Sequence, residues 1–146
     1  MRTRFLDIHF SKKPILKFLP ALLVMLAIFL FSAHPSDPVP LSRLEQILYK
    51  GGHVIGYALL AVCNWRAFEF HRNQRRIAWL LAVLYAITDE YHQSFVPGRH
   101  PSAFDVLVYD NLGACTSLWL AGIWLQQKLP DSESLVVEPE NRRSKR

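Results

Sequence analysis

Cysteine is nearly missing from this chain, and neither copy is placed for chemistry. Cys63 and Cys115 both sit inside apolar runs. They give no disulfide framework and no Cys-Cys metal spacing, and small apolar packing is the role they suggest. No His-Glu-x-x-His element is present, which removes the common helical zinc-hydrolase signature. No serine or cysteine stands in a local nucleophile motif, and no internal repeat is visible. Charged residues make up only 20% of the chain and are scarce in four long stretches.

Those stretches hold most of what is present. Of the 146 residues 51% are hydrophobic, and the mean hydropathy is +0.10. The length allows one domain. The apolar residues gather in four blocks, Phe18–Phe31, Ile47–Trp65, Ile77–Ile87 and Phe104–Leu125. A bilayer crossing takes about 20 helical residues, which each block reaches with its flanks. Lys50, Asp89 and Asp105 interrupt three of them. The competing reading is a soluble four-helix bundle, but these blocks are apolar all round rather than along one stripe. The expectation is an all-α integral membrane protein, a bundle of four transmembrane helices.

A net charge of +5 raises the question of nucleic acid, and its distribution answers it. Arg2, Arg4, Lys12, Lys13 and Lys17 precede the first block, and Arg66, Arg72, Arg75 and Arg76 lie between the second and third. Lys128, Arg142, Arg143, Lys145 and Arg146 follow the fourth. Fourteen of the seventeen basic residues thus fall on one side of an alternating four-pass chain, leaving Arg43, Lys50 and Arg99. This is the positive-inside pattern of a multi-pass membrane protein with both termini in the cytoplasm. The expected partner is the lipid bilayer, not nucleic acid. Trp65, Trp79 and Trp124 fall at the cytoplasmic ends of their blocks, as an interfacial belt would.

Three regions follow: a basic cytoplasmic leader over 1–17, a transmembrane domain over 18–126, and a disordered cytoplasmic tail over 127–146. The leader and first block also resemble a signal peptide. The exit Ser32-Ala33-His34-Pro35 lacks a small-x-small cleavage site, which favours an uncleaved anchor. Three prolines make residues 34–40 a turn-rich connection. Ser42 with Glu45 three residues on predicts a capped helix start, and Gly51, Gly52 and Gly56 permit close helix approach. Pro97-Gly98 predicts a tight turn, and a fourth helix starts near Ala103 or Phe104.

The stretch from Thr88 to Arg99 is where function is expected. An apolar run ends there in Asp89, Glu90, His92 and Gln93, followed by Pro97-Gly98-Arg99. Ionisable groups at membrane depth are costly, so they point to a functional site. The alternating topology brings Lys50, His53, Asp105 and Asp110 to the same outer side. Lys50, His53 and Tyr57 share one helix face by spacing, as do Asp89, His92 and Gln93. Asp89, Glu90 and His92 are the candidate acid–base residues. Lys50, His53, Tyr57, Gln93, Arg99, Asp105 and Asp110 are the candidate ligand-binding set. An ion-pair knot locking the helices is the competing reading of the same residues. A metal held by His53, His92 and a carboxylate has no motif to support it, so neither a metal nor a cofactor is expected. Arg99 is expected to fold back over the bundle mouth and reach Asp89, Glu90, Asp105 or a ligand phosphate through a two-pronged contact.

Lys50-x-x-His53-x-x-x-Tyr57, Asp89-Glu90-x-His92-Gln93-x-Phe95-x-Pro97-Gly98-Arg99, Asp105-Val-Leu and Asp110-x-x-Gly113-Ala114 together resemble the VanZ-like family of small bacterial membrane proteins. The resemblance covers roughly residues 20–125 and marks the same polar positions. It departs at the fourth helix, where the family spaces the acid and the next polar residue four apart, while Asp105 and Asp110 are five apart. Either a local π-bulge restores the face, or only one of the two belongs to the site. The family is named for a protein associated with teicoplanin resistance, so the resemblance implies a role in the cell envelope. The expected function is binding or processing an anionic envelope lipid or its headgroup. The alternative is a non-enzymatic scaffold or envelope-homeostasis factor.

Overall fold

The structure is a computed structural model that describes residues 14–35, 42–99 and 101–128. The expectations for most of the basic leader, for residues 36–41, for His100 and for the tail beyond 128 lie outside the described residues. Those that are described form an all-helical fold.

After a single helical turn, Pro14–Lys17, helix α1 spans Leu19–Ser32. Pro20 sits in its first turn, where no backbone donor is needed. Helix α2, Arg43–Ala67, begins as expected: the Ser42 side chain accepts from Glu45 N, and Ser42 N donates to the Glu45 carboxylate. A sharp turn ends α2, with Glu69 and Phe70 at φ 55° and 58°. Left-handed backbone costs a non-glycine residue about 1–2 kcal/mol, so something must hold the turn. Trp65 does so: its Nε1 donates to the His71 carbonyl at 2.9 Å, and Phe70 packs edge-on against its ring.

A short 3₁₀ turn, Arg72–Gln74, leads into helix α3, Arg75–Gln93. The expected turn follows: Arg99 N donates to the Val96 carbonyl at 3.1 Å, and Gly98 takes φ 76°, which suits glycine. Residues Asp105–Asp110 are π-helical and run directly into helix α4, Asn111–Lys128.

Helix α2 is the central element, packed by α1, α3 and α4. Alanine supplies most of the core, with Ala61 on α2, Ala78, Ala82 and Ala86 at every fourth position of α3, and Ala114 on α4, around the large buried side chains of Tyr57, Leu60, Trp65 and Leu118. Other large apolar residues face outward, among them Leu22, Leu26 and Leu30 on α1, Ile55 and Leu59 on α2, and Leu84 and Ile87 on α3. Gly113 sets the closest approach, since a Cβ there would lie 2.1 Å from the Val54 carbonyl oxygen of α2.

Among the described residues, one helix, Asp105–Lys128, is long and apolar enough to cross a membrane, and Leu19–Ser32 is apolar but shorter. The tryptophan belt needs correction. Trp65 is buried as the clasp of the α2–α3 turn, and Trp79 Nε1 donates to Asn111 Oδ1 at 2.7 Å. Only Trp124 of the three stands exposed, with the Lys128 ammonium 4.4 Å from its ring centre. Trp65 is buried and Trp79 half-buried, and each indole N–H has an internal acceptor.

Candidate functional site

The alanine face of α3 continues into carboxylates. Asp89, Glu90 and Gln93 are all buried, so each needs partners inside the protein. Asp89 finds them on three helices. It accepts from Ser32 Oγ of α1 at 2.6 Å, from Gln93 Nε2 one turn onward at 2.9 Å, and from the Tyr57 hydroxyl of α2 at 3.4 Å. Gln93 Oε1 in turn accepts from the Tyr49 hydroxyl at 3.1 Å. All of these donors are neutral. This half of the cluster ties α1, α2 and α3 together around one carboxylate.

The other half carries the charge. The π-helical turn puts Asp105 and Asp110, five residues apart, on the same inward face, because a π-helix closes in i→i+5 steps. This resolves the spacing question: both acids are buried, and both meet α2. Lys50 Nζ lies 3.5 Å from Asp105 Oδ1 and 4.3 Å from the Tyr109 ring centre. His53 Nδ1 lies 2.9 Å from Asp110 Oδ1. Glu90 Oε2 accepts from Ser102 N at 2.6 Å, so the loop after α3 closes onto its own helix. A ring nitrogen of His53 and one carboxylate oxygen each of Glu90 and Asp105 lie within 4.8 Å of one another. Asp110 Oδ2 is buried without a partner.

Two expected members stand apart. His92 is not bonded to Asp89 or Glu90; its ring packs 4.6 Å from that of Phe29 on α1, and its Nδ1 is buried without a partner. With about 100° per residue, position i+3 falls some 60° to one side of Asp89 and Gln93 at i+4 some 40° to the other. Asp89 shares its network with Gln93 and leaves His92 facing α1. Arg99 folds back over the mouth, but its partners differ from those expected. Nη2 donates to the Phe31 carbonyl at 2.6 Å and Nε to the His34 carbonyl at 3.1 Å, and the guanidinium lies 5.2 Å from the Tyr49 ring centre. It forms no ion pair with Asp89, Glu90 or Asp105. The exposed carbonyls at the end of α1 have captured a fork built for two acceptors.

Sequence reasoning missed Ser32, Tyr49 and Ser102. Tyr49 was within reach of it, since Tyr49, His53 and Tyr57 repeat every four residues, and their rings follow one another at 4.8 and 6.2 Å. Ser32 and the backbone of Ser102 carry no such signal.

A cavity of about 470 Å³ opens between α1 and α2. Val24, Ile28 and Phe31 form one wall, and Leu48, Ile55 and Leu59 the other. Tyr49, His53, Asp89, Gln93 and Arg99 make its polar end, so the cavity joins an apolar groove to both halves of the cluster.

A family model described as VanZ/LLP1 matches residues 15–125, a span that contains every residue of this site. No curated protein and no solved structure matches the chain.

Proposed function

This chain belongs to the VanZ/LLP1 family, and on that premise we propose that it is a multi-pass membrane protein of the cell envelope that holds a lipid with an anionic headgroup between α1 and α2. The groove is the observation that carries this reading. Its walls are aliphatic along two helices, and its end offers the Arg99 guanidinium, His53 and the Tyr49 hydroxyl. An acyl or prenyl chain fits the walls. Arg99 uses Nε and Nη2 on α1, and its guanidinium brings positive charge to the end of the groove, where a phosphate oxygen would be held.

Support for the membrane comes from the packing. An alanine-rich interior and many outward leucines suit helices packed in lipid, where close approach replaces the hydrophobic drive. The same exposure in water would leave many large apolar side chains solvated. Helices α2 and α3 and the run Asp105–Lys128 have 25, 19 and 24 residues, enough for a crossing of about 30 Å. Four spans with both termini cytoplasmic match the distribution of basic residues.

Native mass spectrometry of the full chain, released from detergent, tests the lipid reading. One bound envelope lipid per chain is expected. Gly52 lines the groove with open space around it, so Gly52→Leu should fill the groove, keep the fold and lose the lipid. A wild-type protein that carries no lipid sinks the proposal.

The Asp89 network favours a second reading for that half of the cluster, an interhelical lock. Its donors all come from the chain itself and none is charged. Chemistry on a headgroup would then fall to Glu90 and His53 rather than to Asp89 and His92.

A further inference from the structure

Among the described residues, the charged half of the cluster has more negative groups than its neighbours balance. Glu90, Asp105 and Asp110 are all buried, and the cations that meet them are Lys50 and His53. Arg99 on the same side is turned to backbone carbonyls. Buried carboxylates without a matching charge are expensive, and a bound cation is one way that proteins neutralise them.

The geometry fits such a cation. His53, Glu90 and Asp105 come from α2, α3 and the π-helical turn, and their three ligand atoms lie within 4.8 Å of one another. His53 is already oriented: Asp110 Oδ1 holds its Nδ1 at 2.9 Å. With the proton on Nδ1, the lone pair is on Nε2. A carboxylate holding a histidine in this way is the usual outer partner of a metal-bound imidazole. Asp110 is itself buried, with its Oδ2 unpartnered. An ion-pair lock leaves that oxygen unexplained. The three ligands are 37 and 15 residues apart in sequence (53 to 90, 90 to 105), so no local motif announces them.

We propose that His53, Glu90 and Asp105 bind one divalent transition-metal cation, with Asp110 as the residue that positions His53. One imidazole nitrogen and two carboxylate oxygens suit Zn²⁺ or Mn²⁺ better than Mg²⁺ or Ca²⁺, which prefer oxygen alone. Three protein ligands leave a coordination position for water or a phosphate oxygen. Lys50 is only 3.5 Å from Asp105 but lies at the rim, 38% exposed, and its stem lets it withdraw towards the Tyr109 ring.

Metal counting on the full-length chain, purified in detergent and stripped with EDTA, tests this directly and does not depend on any lipid. After dialysis against micromolar ZnCl₂ or MnCl₂, elemental analysis should find about one ion per chain, with a raised melting temperature. Glu90→Gln and His53→Asn should abolish the stoichiometric ion. Asp110→Asn should weaken it by about 10–100-fold, the usual loss for such an outer partner. His71→Asn removes the exposed histidine beside Glu69 and should bind as the wild type does. A folded wild-type chain that takes up less than about a tenth of an ion of either metal overturns the proposal, even if every variant misfolds. So does undiminished binding by folded His53→Asn.

Discussion

Asp89 and Arg99 sit near each other at the end of α1, and each replaces a contact that its charge would suggest. The Asp89 carboxylate takes three neutral donors, and the Arg99 guanidinium takes two backbone carbonyls. Asp89→Asn keeps the shape but turns one acceptor into a donor facing other donors. It should cost about 1–3 kcal/mol, the range for a buried group left unsatisfied, read as a lowered melting temperature in detergent. Arg99→Lys should behave nearly like Arg99→Ala, because an ammonium cannot span both the Phe31 and His34 carbonyls. Disulfide trapping between cysteines placed at the end of α1 and in the 96–99 turn would report it; equal trapping in Arg99→Lys and wild type contradicts the two-pronged role. At this scale the sequence was informative where spacing repeats. Lys50, His53, Tyr57, Gln93, Asp105 and Asp110 converge as expected. His92 and the partners of Arg99 were not legible, since both depend on α1, whose only polar side chain at the site is Ser32.

At the scale of elements, α2 and α4 depend on one missing side chain. A methyl group on Gly113 meets the Val54 backbone carbonyl, which cannot rotate away. Gly113→Ala should therefore cost at least the about 1–3 kcal/mol typical of overpacking, and lower the amount of folded protein in membranes. Gly51→Ala is the control: nothing lies within 4 Å of its added carbon, so helix propensity alone should make it neutral or stabilising. The π-helical turn was legible as one of two solutions to a five-residue spacing; only packing against Lys50 and His53 selects it. Between the start of α1 and the α2–α3 turn, Lys17 bonds Glu69 at 2.5 Å and holds its carboxyl below the ordinary value of 4.5. A depressed folded value means that the pair stabilises above that pH and its help is lost as pH falls through the folded value. Lys17→Met should flatten the acid limb of a melting-temperature profile between pH 6 and about 3, with little change above pH 6 in that limb's slope.

For the whole molecule, reporter fusions at positions 37, 70, 100 and 140 test the four-pass arrangement. Positions 70 and 140 should report cytoplasmic, and 37 and 100 outside. A cytoplasmic signal at 100 would move the site to the other face of the membrane. The all-helical architecture could be read from four apolar blocks. The inward turn of the alanines could not, because composition gives the same total whichever way the helices turn. Helix facing is fixed by contacts such as Ala78, Ala82 and Ala86 against their neighbours.

The attachment of α1 also sets a schedule for biosynthesis. Ser32 waits for a partner 57 residues downstream, and the Phe31 carbonyl for one 68 residues downstream. At about 5–20 residues per second, that is roughly 3–14 seconds of translation. During this interval the polar exit of the first helix is unclaimed, and the helix lacks its final neighbours. The last turn of the bundle to be made before residue 100 is therefore the one that fastens the first helix in place.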